Sequence, residues 1–452
     1  MKERTCSLLS FSTYLNKGFD LRRHARQMSD ARTHPEISPP SVFLALFHAF
    51  VFRLPSFQQL DTELSHSYLQ NWIGAERAFR DDTLRYSLCG FHLAPLEQML
   101  VEINRRLKRR KALDAGRVQG RWVAALDGIE VLASFSRCCE RCLERRVTVP
   151  EEAGQSRERI QYYHRAVGCQ IISSPVKPFL AVEWLRPGEG EDTAALRLLA
   201  RLPELYGSRF FDILLLDSLY AQAPVLKLAQ KIGWDVVITL KQEKRDLYQD
   251  ALGLFQARPP DQTFTETQSG KTSQVRLWEE SGLPFTRPHP QPVRVIRTQE
   301  AVTQNHYRGE QKQQETTCHE WVWMTTLTPP FPAPLVRRLG HDRWKQENNG
   351  WMNLTQHWAF KHGFLHACRH RPQHGLPSGQ RERVPNQGLA AVTLILLIAF
   401  ALCAAFVLRH SKLARRDHLT ALAVAAQLRA AISKAPPSIR APTEYLADPN
   451  LP

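Results

Sequence analysis

Residues 209–241 constrain the fold of this chain more than any other stretch. RFFDILLLD (209–217) is an apolar run of strand length, SLYAQAPVLKLAQKIG (218–233) has helical periodicity, and WDVVITLK (234–241) is a second apolar run. A strand, a helix and a strand in that order belong to a sheet with helices packed on it. Upstream, RWVAALDGIEVLASFS (121–136), YYHRAVGCQIISS (162–174) and KPFLAVEWLRP (177–187) are apolar or alternating runs bounded by turn residues. They read as consecutive strands, and EDTAALRLLARLPELYG after them reads as a helix. Strands first and then β-α-β predicts an α/β sheet of mixed strand direction.

The 452 residues exceed the usual size of one domain. Residues 1–115 read as helical: SPPSVFLALFHAFVFRLPSFQQLDTEL holds two apolar-periodic stretches broken at Pro55, and Asp82 is placed to cap a further helix. The strand-and-helix pattern fills 116–250. From 251 to 318 the sequence turns polar and keeps only short strand-like fragments, which predicts a β-rich insertion. The α/β pattern resumes over 319–410, interrupted by an Arg-, Pro- and Gly-rich linker (369–387), and a last helix and a Pro-rich tail occupy 411–452. Within the fourth block, GLAAVTLILLIAFALCAAFVL (388–408) is 21 residues without a charge, followed by Arg409 and Lys412. Its length suits a bilayer span, and its alanine content and solitary position suit a buried helix.

Lys and Arg number 60 against 44 Asp and Glu, a net charge of +16, which favours an anionic partner such as nucleic acid or a membrane surface. Nine cysteines are too few for a disulfide scaffold, and the first residues show no apolar leader, so a reducing, cytoplasmic compartment is expected. The run RRLKRRK (105–111) has six cations in seven positions, namely Arg105, Arg106, Lys108, Arg109, Arg110 and Lys111. It reads as a solvated helix face or as a set of phosphate contacts.

Carboxylates that leave apolar strands bear on chemistry, because burying an unpartnered charge is costly. Asp127 closes WVAALD and Asp217 closes FFDILLLD. Active sites of α/β sheets lie at the carboxyl ends of the strands, so the pair can converge, although each alone is also a turn former or helix cap. A site with two metal ions about 4 Å apart needs a further hard ligand. Glu347 in DRWKQENNGWMNLTQHW offers one, with Arg343 four residues earlier on the same helix face, able to orient the carboxylate or meet a phosphate. Trp344, Trp351 and Trp358, at a spacing of seven, mark that helix as packed.

ALDGIE, LLLDSLYAQAPVLKLAQKIGWDVVITLK and RWKQENNGWMNLTQHWAFKH together resemble the three acidic motifs of insertion-sequence DDE transposases. The resemblance extends over essentially the whole chain, including FRLPSFQQLDTELS and DDTLRYSL, which are similar to that branch's DNA-binding region. It implies a ribonuclease-H-like mixed sheet with a β-rich insertion before the last acid, preceded by an all-helical DNA-binding domain. It implies further that Asp127, Asp217 and Glu347 hold Mg²⁺ (or Mn²⁺) for cleavage and strand transfer at element ends. Double-stranded DNA would be the partner, with self-association on it, no small-molecule substrate, no membrane anchor and a nucleoid-associated location. The related motif runs Tyr, two residues, Arg, three residues, Glu, six residues, Lys; here Arg343 and Glu347 match, but Gly340 and Leu354 stand at the tyrosine and lysine positions. Spacing does not show whether Lys345 or Lys361 takes the lysine's place. Alternatives are a ribonuclease-H-like nuclease that cuts without joining, and a non-catalytic DNA-binding protein held at a membrane by 388–408.

Two further clusters stand apart. Cys139 and Cys142 in RCCERCLERR have the spacing of a zinc knuckle, and His164 and Cys169 lie on the next strand, so a structural zinc is one reading and reduced cysteines in a basic hairpin the other. His362, His366 and His370 repeat at helical spacing, as a solvated or DNA-facing histidine face does and a metal site can.

Overall fold

Two serines start the paired helices expected around Pro55. The Ser38 hydroxyl accepts from the Ser41 amide at the head of α3 (Pro39–Val51), whose first residue is a proline suited to that position. Ser56 does the same for α4 (Phe57–Leu64) through the Gln59 amide. In this computed structural model the described residues are 8–150, 156–241, 246–268, 270–286, 289–308, 311–362, 364–365, 387–410 and 420–433. The helical N-terminal stretch also contains α1 (Leu8–Phe19), α2 (Leu21–Arg26), α5 (Ser67–Ile73), α6 (Asp81–Cys89) and α7 (Leu93–Arg109). Asp82 lies inside the first turn of α6 instead of capping it, where its charge complements the helix dipole.

A ten-stranded mixed sheet follows. Its strands are β1 (Val123–Ser134), β2 (Leu143–Pro150), β3 (Ser156–Ile171), β4 (Phe179–Trp184), β5 (Ile213–Leu216), β6 (Asp235–Thr239), β7 (Gln262–Gln268), β8 (Lys271–Thr286), β9 (His289–Arg308) and β10 (Gln311–Thr325). The order is β2-β3-β1-β5-β6-β10-β9-β8-β7, with β4 also on β3. β1 runs antiparallel to β3 and parallel to β5, β5 is parallel to β6, and β10 is antiparallel to β6. Helices α8 (Glu191–Tyr206) and α9 (Ala223–Ile232) connect β4 to β5 and β5 to β6, and α10 (Asp246–Gln256) leads to β7.

The polar region differs from its expectation. Its strands are long, with 16 residues in β8, 20 in β9 and 15 in β10, and β10 passes through residue 318 unbroken to pair with β6. The insertion therefore extends the central sheet. Only its outer part, β7 and residues 315–320 of β10, is exposed to water, and there the backbone groups are satisfied by strand pairing while the side chains stay polar; nearer the centre Leu277, Val293, Val295 and Ile296 are buried.

The two faces of the sheet are covered differently. Val123, Ala125, Ile213 and Leu215 pack with Val336 and Leu339 of α11 (Ala333–Asp342), and the alternating residues Ala124, Leu126, Leu214 and Leu216 join the main core with α8 and α9. The apolar segment forms α14 (Gly388–Arg409), after short α12 (Trp344–Gln346) and α13 (Met352–His357). It is long and apolar enough to cross a membrane, yet 78% of its most apolar window is buried inside the protein. It packs against α3, α6 and α7 of the N-terminal helices, so the chain returns to complete that bundle. The final helix, α15, spans Ala421–Ser433.

Candidate active site

Strand register places the two aspartates at corresponding positions. β1 and β5 pair Val123 with Ile213, Ala124 with Leu214 and Ala125 with Leu215. Ninety residues separate each pair, and ninety separate Asp127 from Asp217, so each aspartate follows by two positions the last residue of its strand in this pairing, on the carboxyl side of both. Side chains two apart on a strand share a face, so both follow Ala125 and Leu215 onto the side covered by α11. Asp127 does not end its strand, as the sequence suggested: β1 runs on to Ser134, held by β3, while pairing with β5 stops short of it. Asp217 does follow the end of β5, and its Oδ1 accepts from the Ser218 amide at 2.7 Å, so the turn-forming role also holds.

The two carboxylates have different surroundings. Asp127 is largely buried, and burial raises its pKa to about 6; Arg343 opposes that shift, while Glu191 and Glu347 add to it. The Arg343 Nη1 lies 3.8 Å from Asp127 Oδ2. Arg343 is itself buried, with a side chain 5% exposed, and among the described residues no ion pair joins it to Glu347. Its place in the structure is that of a cation directed at Asp127. Asp217 faces Lys241, whose Nζ is 3.6 Å from Oδ1, on the segment just after β6.

Glu347 is near enough to add to the upward shift of Asp127, and its segment is packed closely on β3. In register, Asp127 pairs with Gly168, which shares its face. A Cβ on Gly168 would lie 2.5 Å from the Trp351 ring, so the bare glycine admits that indole. The Gln346 Nε2 donates to the Gly168 carbonyl at 2.7 Å, which ties the helix to β3. Between these anchors the helix widens into a π turn, Glu347–Trp351. Such turns insert an extra residue and shift the helical face. Glu191, which sequence reasoning missed, heads α8 and pairs with Arg165 at 2.5 Å and with the Tyr220 hydroxyl at 2.7 Å. It crowds Gly128, where a Cβ would lie 2.3 Å from its carboxylate. The only signal for it in the sequence is an acid at a helix start, which is common for dipole reasons alone.

No family model matches the chain, and no curated protein matches it. Among solved structures it is similar to a cryo-EM structure of the piggyBac transposase synaptic complex with hairpin DNA, at 10% identity and a TM-score of 0.38, over 99% of this chain and 83% of that one. A likeness that distant supports no conclusion about this chain.

The basic run at the end of α7 is occupied mainly within the protein. Arg105 donates to the Leu205 carbonyl, and Arg106 bridges Glu102, Asp20 and the Gly18 carbonyl. Lys108 donates to the Arg209 and Phe210 carbonyls and lies over the Trp122 ring. Arg109 pairs with Glu102, Arg110 lies over Phe19, and exposed Lys111 has a left-handed backbone at φ 59°. Several of these cations brace α7 against α8, the segment before β5 and the end of α1, a use that charge counting does not distinguish from phosphate contact.

The cysteine cluster is realised in part. Cys139, Cys142 and His164 bring their donor atoms within 4.8 Å of one another and could hold a metal ion. The Cys142 hydrogen bond, with His164 adding, pulls the Cys139 thiol down to about 4 against the opposing effect of burial. Cys169 does not join them: it lies five residues beyond His164 on β3, an odd separation that turns it to the opposite face, and it is fully buried in the core. Elsewhere Cys89 is disulfide-bonded. Of the three histidines, His362 ends a short 3₁₀ turn beside Phe364, and His366 and His370 lie outside the described residues.

Proposed function

We propose that this chain is a DNA transposase that cleaves element ends and joins them to target DNA at a carboxylate site made of Asp127, Asp217 and Glu347. One observation carries the reading: Asp127 and Asp217 each follow by two positions the last paired residues of adjacent parallel strands, and Arg343, four residues before Glu347, lies 3.8 Å from Asp127. The ribonuclease-H-like assignment rests on the order β4-β3-β1-β5-β6, three antiparallel strands followed by two parallel to β1. In this proposal 1–115 with α14 forms the DNA-binding unit, 251–318 the insertion, and the protein acts in the cytoplasm on the nucleoid, self-associated on paired DNA ends.

Three carboxylates are hard oxygen donors of the kind Mg²⁺ or Mn²⁺ takes. Burial is the main cause of the raised pKa of Asp127, Arg343 opposes it, and Glu191 and Glu347 add negative charge nearby that a divalent cation would offset. Among the described residues the three carboxylates do not close into one group within 4.8 Å. Bound there, such ions would activate a water or a 3′-hydroxyl and stabilise the leaving oxygen of a phosphodiester. The protein's own part is positional. Arg343 holds the Asp127 carboxylate, β5 aims Asp217, Lys241 balances its charge, and Trp351 and Gln346 seat the helix that carries Glu347. The exposed remainder of the basic surface contributes sequence-independent attraction for the phosphate backbone.

The test is a Mg²⁺-dependent assay on duplex DNA carrying the sequences that flank the coding region, comparing wild type with Asp217→Ala. Joined product from wild type and none from the variant is expected. Cut but unjoined DNA would replace the transposase reading with a nuclease.

A further inference from the structure

We propose that Cys139, Cys142 and His164 bind a zinc ion that pins the β1–β2 loop to β3 at the root of the β2–β3 ribbon. This inference is independent of the carboxylate site. Cys139 Sγ lies 3.3 Å and Cys142 Sγ 3.4 Å from His164 Nε2, and the two sulfurs are 3.7 Å apart. A tetrahedral ion with Zn–S about 2.3 Å and Zn–N about 2.05 Å requires S···S near 3.8 Å and S···N near 3.6 Å. The three donors thus already stand at the edges of such a tetrahedron, and a sulfur pair at 3.7 Å is not a disulfide. The local backbone is organised as well. The Cys142 amide donates to the Cys139 carbonyl at 3.1 Å, and the Cys139 amide donates to Cys142 Sγ at 3.2 Å, which closes the turn around the sulfurs. Two thiolates and an imidazole select a borderline-soft ion over Mg²⁺ or Ca²⁺.

The location gives the ion a task. β1 leaves β3 at the Ser134–Tyr162 pair, and beyond it residues 156–161 of β3 pair only with β2. Most side chains of that ribbon are exposed, and a two-stranded ribbon without a covered face is marginal in water. Cys139 and Cys142 sit on the loop that enters β2, and His164 sits on β3 two residues past Tyr162. A shared ion would therefore cross-link the two arms where they leave the sheet and hold the ribbon's direction. Cys169 takes no part.

The full chain, reconstituted with zinc and desalted, is expected to keep about one zinc ion per molecule. A Cys139→Ser, Cys142→Ser double variant should keep less than about a tenth of that, and Cys169→Ala should keep the wild-type amount. Wild type without zinc, or a double variant holding as much as wild type, overturns the assignment. Because the double variant could fail to fold, the second measurement uses wild type alone. Amide hydrogen exchange over 143–149 and 156–162 should rise about tenfold when zinc is stripped, and should be restored by zinc but not by Mg²⁺. Exchange that is indifferent to zinc overturns the pinning role.

Discussion

Gly340 stands where the related motif carries tyrosine, and a Cβ at that position would lie 2.2 Å from Trp323 Nε1 on β10. The departure follows from packing: α11 lies so close to the sheet that the tryptophan fills the space a side chain would need. Gly340→Ala is expected to destabilise the protein by about 1–3 kcal/mol, as overpacking of a filled core does, read as a lower urea midpoint. An unchanged midpoint contradicts that account. Leu354, at the lysine position, is fully buried, so no DNA contact can come from it as it stands. At this scale the sequence proposed Asp127 and Asp217 from apolar runs closing in aspartate, a pattern that holds for Asp217 after β5 but not for Asp127, where β1 runs on, and it proposed Glu347 as a further acid beside Arg343. The burial of Arg343 against Asp127 and the approach of Glu191 to Gly128 come from chain crossings that no local pattern records.

Elements are joined by a buried ion network on the insertion side. Glu300 of β9 receives both Arg337 Nε and Nη2 from α11 at 2.9 and 2.8 Å, and pairs with His341 at 2.9 Å. Burial would raise the Glu300 pKa, but the hydrogen bonds from His341 and Arg337 outweigh it and bring the group from 4.5 down to about 2. A carboxyl depressed in the folded state adds stability that is present above its unfolded value and is lost as pH falls through the folded one. Stability should therefore decline between about pH 4.5 and about pH 2, and Glu300→Gln should flatten that decline, measured by chemical unfolding across the range. A variant with the same slope as wild type contradicts the assignment. The meander that carries Glu300 was read as short fragments because its outer part is polar and charged groups such as Arg294, Arg297 and Glu300 are buried in pairs among its apolar residues. The β-α-β unit at 209–241 was read correctly in kind because a sheet covered on both faces leaves continuous apolar runs.

Over the whole molecule, α14 decides between a bilayer span and a core helix. Its residues Ile395, Leu396, Leu397 and Ile398 are buried among α3, α6 and α7. Leu397→Asp should cost about 3–5 kcal/mol or abolish folding, because it leaves an unpaired charge in that bundle, and wild type should be recovered in the aqueous fraction without detergent. Recovery only with detergent contradicts the core-helix account. The segment's composition was legible, but its neighbours were not, since the helices it completes lie more than 270 residues earlier in the chain. The central claim, that Asp127, Asp217 and Glu347 act as one site, is tested most directly by Mg²⁺-dependent strand transfer in Asp127→Asn, Asp217→Asn and Glu347→Gln. Each single variant should lose activity by about a thousandfold or more while its unfolding midpoint stays near that of wild type. Wild-type strand transfer by any one of the three would contradict it.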